Sequence, residues 1–290
     1  MNHLDGRTAL VTGASRGIGP FIAHALARHG VRLALVARST RELEAQVARI
    51  AAEGGSAVAL PADLLATGKA ADIARAVEER LGAVDILVNN AGVELIGPLQ
   101  DLGLDEIQQI IGLNLLGTIA LTRAVLPGML HRHSGHIVNM ASLSGHLHPP
   151  FYETYAATKA GLIAFSHSLR GSLRGTGVSA SVIVPSFVRT VGMRRYTEDD
   201  DGVGIAPLAG GKPPEAVAAA VVRAIRRDRA EIVVAPLATR IALRLLGGIP
   251  GAKQGLIRIS GVDGMYRRVM EKRGHGFTGP AEEQSGAQVE

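Results

Sequence analysis

From residue 8 to about residue 235 the chain alternates short, β-branched apolar runs with longer stretches whose apolar residues recur at helical spacing. The short runs predict strands over Thr8–Thr12, Arg32–Ala37, Ala57–Leu60, Val84–Val88, His136–Met140, Val178–Val184 and Glu231–Ala235. The periodic stretches predict helices over Ile18–His29, Arg41–Glu53, Thr67–Leu81, Asp105–Leu130, Thr154–Arg174 and Pro214–Arg227. Gly30 and Gly82 stand where the first and third helices should stop, and Pro213-Pro214 where the sixth should start. Strict alternation of strand and helix implies an α/β fold. Its parallel, doubly wound sheet of about seven strands would carry helices on both faces, in three layers.

No linker or repeat divides this region, so residues 1–235 are expected to form a single domain. Val191–Lys212 is a long Gly-rich connection holding the acidic run Glu198–Asp201, and it reads as a lid over a substrate. Residues 236–275 form a helical extension in which Leu237, Ile241, Leu245 and Ile249 recur at four-residue spacing, with Arg240 and Arg244 on another face. The expectation is a helix packed on the domain. A wall over an apolar pocket and a shallow contact with an anionic membrane are the sharper alternatives, the membrane contact being disfavoured. Residues 276–290 read as a disordered tail.

Composition narrows the chemistry. Hydrophobic residues reach 47% but aromatics only 3%, so the core must be aliphatic. There is no Cys, which removes thiolate metal sites and cysteine nucleophiles. His131, His133 and His136 lie close together without carboxylate partners and read as solvated turn residues, so no metal is expected. The net charge of +5 comes from basic residues scattered along the chain with few aromatics, which argues against nucleic acid and leaves an anionic small molecule as partner. The N-terminus lacks a secretion signal and no uncharged apolar run approaches the roughly 18–20 residues of a membrane span, so a cytoplasmic location is expected.

The first strand runs directly into Thr12-Gly13-Ala14-Ser15-Arg16-Gly17-Ile18-Gly19, which opens a helix. Glycines there allow a tight turn and a close backbone approach, and the helix N-terminus offers N–H groups to a pyrophosphate. A dinucleotide such as NADP or NAD is the implied ligand. After the second strand, where an acid would hold a ribose 2′-hydroxyl, the chain reads Ala37-Arg38-Ser39. The missing carboxylate, with Arg38 and Arg16 nearby, favours the 2′-phosphate of NADP(H) and disfavours NAD.

Tyr155 and Lys159 stand four residues apart on one helix face. Carbonyl reduction needs a proton donor for the developing alkoxide, and the reverse reaction needs a base. The ammonium of Lys159, with oxidised nicotinamide, is expected to lower the Tyr155 pKa; three units would take about 4 kcal/mol. Ser142 and Ser144 both follow the fifth strand, at the sheet end where sites of this architecture form, and either could bind the substrate oxygen.

The glycine spacing, with Tyr-x-x-x-Lys and a Ser thirteen residues before the Tyr, resembles the short-chain dehydrogenase/reductase family, the match covering roughly residues 5–235. The resemblance implies a Rossmann-like fold and an NADP(H)-dependent oxidoreductase interconverting an alcohol and a carbonyl. It selects Ser142 over Ser144 to position the substrate. It also assigns proton transfer to Tyr155, ribose binding and tuning to Lys159, and a water relay to Asn114. Gly13, Ser15, Arg16, Gly17, Ile18, Gly19, Arg38 and Ser39 would hold the phosphates and ribose, and Asp63-Leu64 the adenine. Asn90, Ala91 and Gly92 would line the cleft, with Pro185, Val188 and Thr190 at the carboxamide. The chain departs from the family in reading Pro185-Ser186 where Pro-Gly is usual. His146 and His148 could border the substrate, which is expected to be a medium-sized hydrophobic ketone or alcohol. Relatives commonly form dimers or tetramers, so a homodimer or homotetramer is implied. Reduction of a 3-oxoacyl group on a carrier protein is an alternative, counted against for want of a basic docking patch. A silent dinucleotide-binding regulator is another, opposed by the intact Ser–Tyr–Lys set.

Overall fold

A computed structural model describes residues 1, 3–189, 211–246, 249 and 251–272. Thr190, most of the expected lid with its acidic run, and the tail lie outside the described residues. The strands are β1 (Thr8–Thr12), β2 (Arg32–Ala37), β3 (Ser56–Pro61), β4 (Ile86–Asn89), β5 (Gly135–Met140), β6 (Val178–Pro185) and β7 (Glu231–Val234). All pair in parallel, in the order β3-β2-β1-β4-β5-β6-β7. The order reverses between β1 and β4, which opens a crevice at their carboxyl ends.

The helices of the wound region are α1 (Gly19–Ala27), α2 (Thr40–Ala52), α3 (Ala70–Leu81), α4 (Leu104–Ile111), α5 (Thr118–His131), α6 (Ser144–Leu147), α7 (Glu153–Ser172) and α8 (Pro214–Arg227). Side chains alternate across the sheet. Val11, Leu33, Leu35 and Val88 pack with Ile22 and Leu26 of α1 and Val217, Val221 and Ile225 of α8. Leu10, Leu87 and Ile137 pack on the other side with Val77 of α3 and Leu121, Val125 and Met129 of α5. With contacts on both faces, β1, β4 and β5 are buried throughout, and their few polar side chains, such as Asn89, His136 and Asn139, are buried with them.

Two features differ from the sequence expectation. The helix predicted over Asp105–Leu130 is interrupted by a π-helical turn, Gly112–Gly117, between α4 and α5. A Cβ on Gly117 would stand 3.0 Å from the Leu64 carbonyl oxygen, a tight approach of this helix to the loop after β3. The wider turn carries Asn114 inward, where it is fully buried. Second, the whole stretch Leu104–His131 has the length and hydropathy of a membrane span, although it carries Asp105, Glu106 and Arg123. One face of its α5 portion is committed to the sheet and to α3.

The extension folds as α9 (Leu237–Leu246), α10 (Ala252–Ile259) and α11 (Val262–Lys272). Met265, Tyr266, Val269 and Met270 of α11 pack on Ile96, Phe151 and Tyr152. The extension is therefore fastened beside the N-terminus of α7, the helix that carries Tyr155.

Candidate active site

The glycine loop is pinned from behind by the segment after β4. The Thr12 hydroxyl accepts hydrogen bonds from the Asn90 and Ala91 backbone N–H groups, both at 3.0 Å. Asn90 Nδ2 in turn donates to the carbonyls of Thr12 (3.0 Å) and Gly13 (3.2 Å). Two glycines are required for close approach. A Cβ on Gly19 would fall 2.0 Å from the Gly13 carbonyl oxygen, and one on Gly13 would fall 2.8 Å from the Ala91 Cα. Gly13 also has φ +64°, a conformation that side chains rarely adopt.

A long cavity of about 1480 Å³ runs from this loop across the carboxyl ends of the strands. Gly13, Ser15, Arg16, Gly17, Ile18, Arg38, Ser39, Asp63, Leu64, Asn90, Ala91, Gly92, Ser142, Tyr155, Pro185 and Val188 all line it, although the sequence spreads them over 176 positions, from 13 to 188. At one end Arg16 and Arg38 stand exposed on the rim. One carboxylate that sequence reading missed, Glu42, shares this rim. Near the other end the Ser186 hydroxyl oxygen is buried without a partner among the described residues, beside Pro185 and Val188. The glycine cradle, paired arginines and unpartnered hydroxyl suit an elongated dinucleotide with a phosphate at one end and a polar amide at the other.

Helix α7 is tied to the sheet by a chain of buried polar groups. Asn89 of β4 donates to Asn139 of β5 (2.9 Å) and to Thr122 of α5 (3.1 Å), and Asn139 donates to Ser166 of α7 (2.9 Å). Such a network is intolerant of slippage, because any shift leaves a buried polar group unpaired. It holds the helix that presents Tyr155 and Lys159. Tyr155 and Ser142 both line the cavity, where the Ser142 hydroxyl donates to Ser144 Oγ at 3.3 Å, and Lys159 Nζ lies 5.5 Å from the centre of the Tyr155 ring. Lys159 does not line the cavity; it is buried behind Tyr155 and donates to the Met140 carbonyl at 3.0 Å.

Asn114 also stands behind the cavity. Its Oδ1 accepts from the Val93 N–H at 2.8 Å, and its Nδ2 donates to the Val93 carbonyl (2.9 Å) and Thr158 (3.3 Å). It makes no direct bond to Lys159, yet a Cβ on Gly92 would meet Asn114 Oδ1 at 3.1 Å and Lys159 Nζ at 3.4 Å. Both polar groups therefore flank Gly92.

Burial and one nearby carboxylate dominate the electrostatics of this pair. Burial and, next, the nearby Glu94 carboxylate push Tyr155 above its ordinary value, with Ser142 acting in the other direction. Burial also lowers Lys159 to about 8. Glu94 escaped sequence reading because it follows Gly92-Val93 with no motif of its own. It accepts a hydrogen bond from Tyr152, whose ring packs edge-on against Tyr155 (5.5 Å) and at a tilt against Tyr266 of α11 (4.7 Å). Burial raises the Glu94 carboxyl as well.

The histidines do not join it. His146 and His167 both bond Glu231, at 2.8 and 2.7 Å, and neither His146 nor His148 lines the cavity. His136 is buried against Ser181 (2.8 Å), where burial takes it to about 4.

A further correction concerns charge. Arginines that look scattered in sequence converge on a second groove between α1, α2 and α8, where Arg28, Arg49, Arg223, Arg226 and Arg227 gather against Glu53 and Glu215.

Comparisons with known proteins agree with this geometry. The family profile for short chain dehydrogenase matches residues 7–201. The ketoacyl reductase HetN of Nostoc sp. is 42% identical over 234 residues, which cover 81% of this chain and 80% of HetN. The 3-oxoacyl-[acyl-carrier-protein] reductase of a Synechocystis species is 35% identical over 222 residues, covering 76% of this chain and 90% of that one. A metagenomic short-chain oxidoreductase solved in complex with NADP superposes with a TM-score of 0.68 at 32% identity, over 80% of this chain and 97% of that one.

Proposed function

For this chain, a member of the short-chain dehydrogenase/reductase family and so an NAD(P)-dependent oxidoreductase of alcohols and carbonyls, we propose NADPH-driven reduction of a small, largely apolar carbonyl compound. The observation that carries the reading is that Ser142 and Tyr155 share the wall of the cavity rimmed by Arg16 and Arg38, with Lys159 behind Tyr155. Bound NADPH supplies the hydride that the carbonyl carbon accepts. Ser142 donates a hydrogen bond to the carbonyl oxygen and orients it. Tyr155 gives that oxygen its proton, so carbonyl becomes alcohol. The buried ammonium of Lys159 offsets the charge left on the phenolate, and Asn114 holds the Val93 backbone that shapes the cavity beside Gly92.

Preference for NADPH rests on Arg16 and Arg38 at the rim, with no acid at Ala37. Leu147, Phe187, Leu256, Ile257 and Val262 line the cavity and favour an apolar substrate. The test is a screen of NADPH oxidation over steroid, aliphatic, aromatic and acyl-thioester carbonyls. Every hit should be lost in Tyr155→Phe while NADPH binding is kept; retained turnover rejects the role of Tyr155.

A second reading, reduction of a 3-oxoacyl group on an acidic carrier protein, is favoured by the basic groove between α1, α2 and α8. Faster turnover of a carrier-linked 3-oxoacyl thioester than of its free analogue would select it.

A further inference from the structure

Ten large apolar side chains stand exposed among the described residues, and five of them fall between residues 237 and 259. Leu237 (67% exposed), Ile241 (47%) and Leu245 (71%) form one stripe along α9, and Ile259 (78%) stands at the end of α10. Soluble surfaces rarely collect aliphatic groups in this way without a partner. The chain is also one-sided in charge here. Between Glu231 and Asp263 it carries Arg240, Arg244, Lys253 and Arg258 and no carboxylate. On a helical projection Arg240 and Arg244 border the α9 stripe on one side. Ala238 and Ala242 border it on the other, and these line the cavity that holds Tyr155. Helix α9 is therefore apolar in two directions, toward the cavity and toward the outside.

We propose that the outer face of α9 and α10 docks on an anionic lipid bilayer. The apolar stripe enters the interface while Arg240, Arg244 and Arg258 meet the headgroups. A cation-rimmed aliphatic stripe matches such a surface in both terms, whereas an apolar protein partner would leave the arginines unanswered. Ile259 is both exposed and part of the cavity wall, so docking brings the mouth of the cavity to the lipid. The substrate class that follows is a carbonyl compound dissolved in the membrane. This last step rests on the carbonyl-reductase reading; the docking itself does not.

The test is co-sedimentation of the full-length chain with phosphatidylcholine vesicles, with and without about one third phosphatidylglycerol. NADPH binding is titrated by fluorescence on the same preparation. Anionic vesicles should bind at least about tenfold more protein than neutral ones, and about 0.5 M salt should remove most of that difference. Leu237→Ser/Leu245→Ser and Arg240→Gln/Arg244→Gln should each abolish the binding while thermal melting and NADPH affinity stay unchanged. If the serine variant is misfolded by melting, the glutamine variant alone decides. No sedimentation at low salt overturns the proposal. So does vesicle binding that survives folded variants, or a chain that self-associates through this face and becomes monomeric on the leucine substitutions. Loss of NADPH binding in the wild type would instead strike the enzymatic reading and leave the vesicle result standing.

Discussion

Arg38→Asp isolates the cofactor preference. Arg38 and Arg16 are both exposed on the rim of the cavity, so each is free to turn toward a 2′-phosphate. A hydrogen bond to a charged group is worth about 1.5–3 kcal/mol, and exposure argues for the lower end. The new carboxylate adds repulsion from a phosphate of about −2 charge. At about 5 Å in a near-aqueous dielectric this is about 1.7 kcal/mol, roughly halved by physiological salt. Together the changes come to about 2.5 kcal/mol, or about a 70-fold loss of NADPH affinity. NADH, which carries a hydroxyl there, should change by less than about threefold. Glu42 on the same rim adds a control, because Glu42→Gln should tighten NADPH slightly. Fluorescence titration of both cofactors against both variants reads this directly. Equal weakening of NADPH and NADH by Arg38→Asp, or a loss of NADPH affinity under about fivefold, would refute the reasoning.

Three other outcomes follow from the geometry. Asn114→Ala removes both partners of the half-buried Val93 backbone and should cost about 1–3 kcal/mol in urea unfolding; a loss under about 0.5 kcal/mol contradicts it. Glu94→Gln removes a carboxylate that holds Tyr155 up, so the rise of alcohol oxidation with pH should move to lower pH; an unmoved profile would show the two groups uncoupled. Asp228 is held down to about 2, first by its hydrogen bond from Arg170. Its contribution to stability is therefore complete above the ordinary value of 3.8 and is lost as pH falls through about 2, so Asp228→Asn should flatten acid unfolding across that window.

The strands could be read from sequence because a parallel sheet covered on both faces demands continuous apolar runs, and Arg32–Ala37 and Val178–Pro185 show little else than apolar and small residues. The glycine loop and the Tyr155–Lys159 pair were legible because their spacing is local: one turn of loop, one turn of helix. What sequence could not show is what long-range packing decides. At the π turn Gly117 passes close to the Leu64 carbonyl, a contact between residues 53 positions apart. Glu94 reaches Tyr152 across 58 positions and adds to the burial that raises Tyr155. Arg28, Arg49 and Arg223 form a patch only once three helices lie side by side.

Incubation of the wild type and Tyr155→Phe with a screened ketone and NADPH deuterated at its transferring carbon probes the chemistry itself. Mass spectrometry of the product alcohol should show one deuterium on the carbinol carbon with the wild type. Tyr155→Phe should bind NADPH as tightly and yield no labelled alcohol. Label transferred by the variant at the wild-type rate, or alcohol formed by the wild type without label, would contradict hydride transfer coupled to a proton from Tyr155.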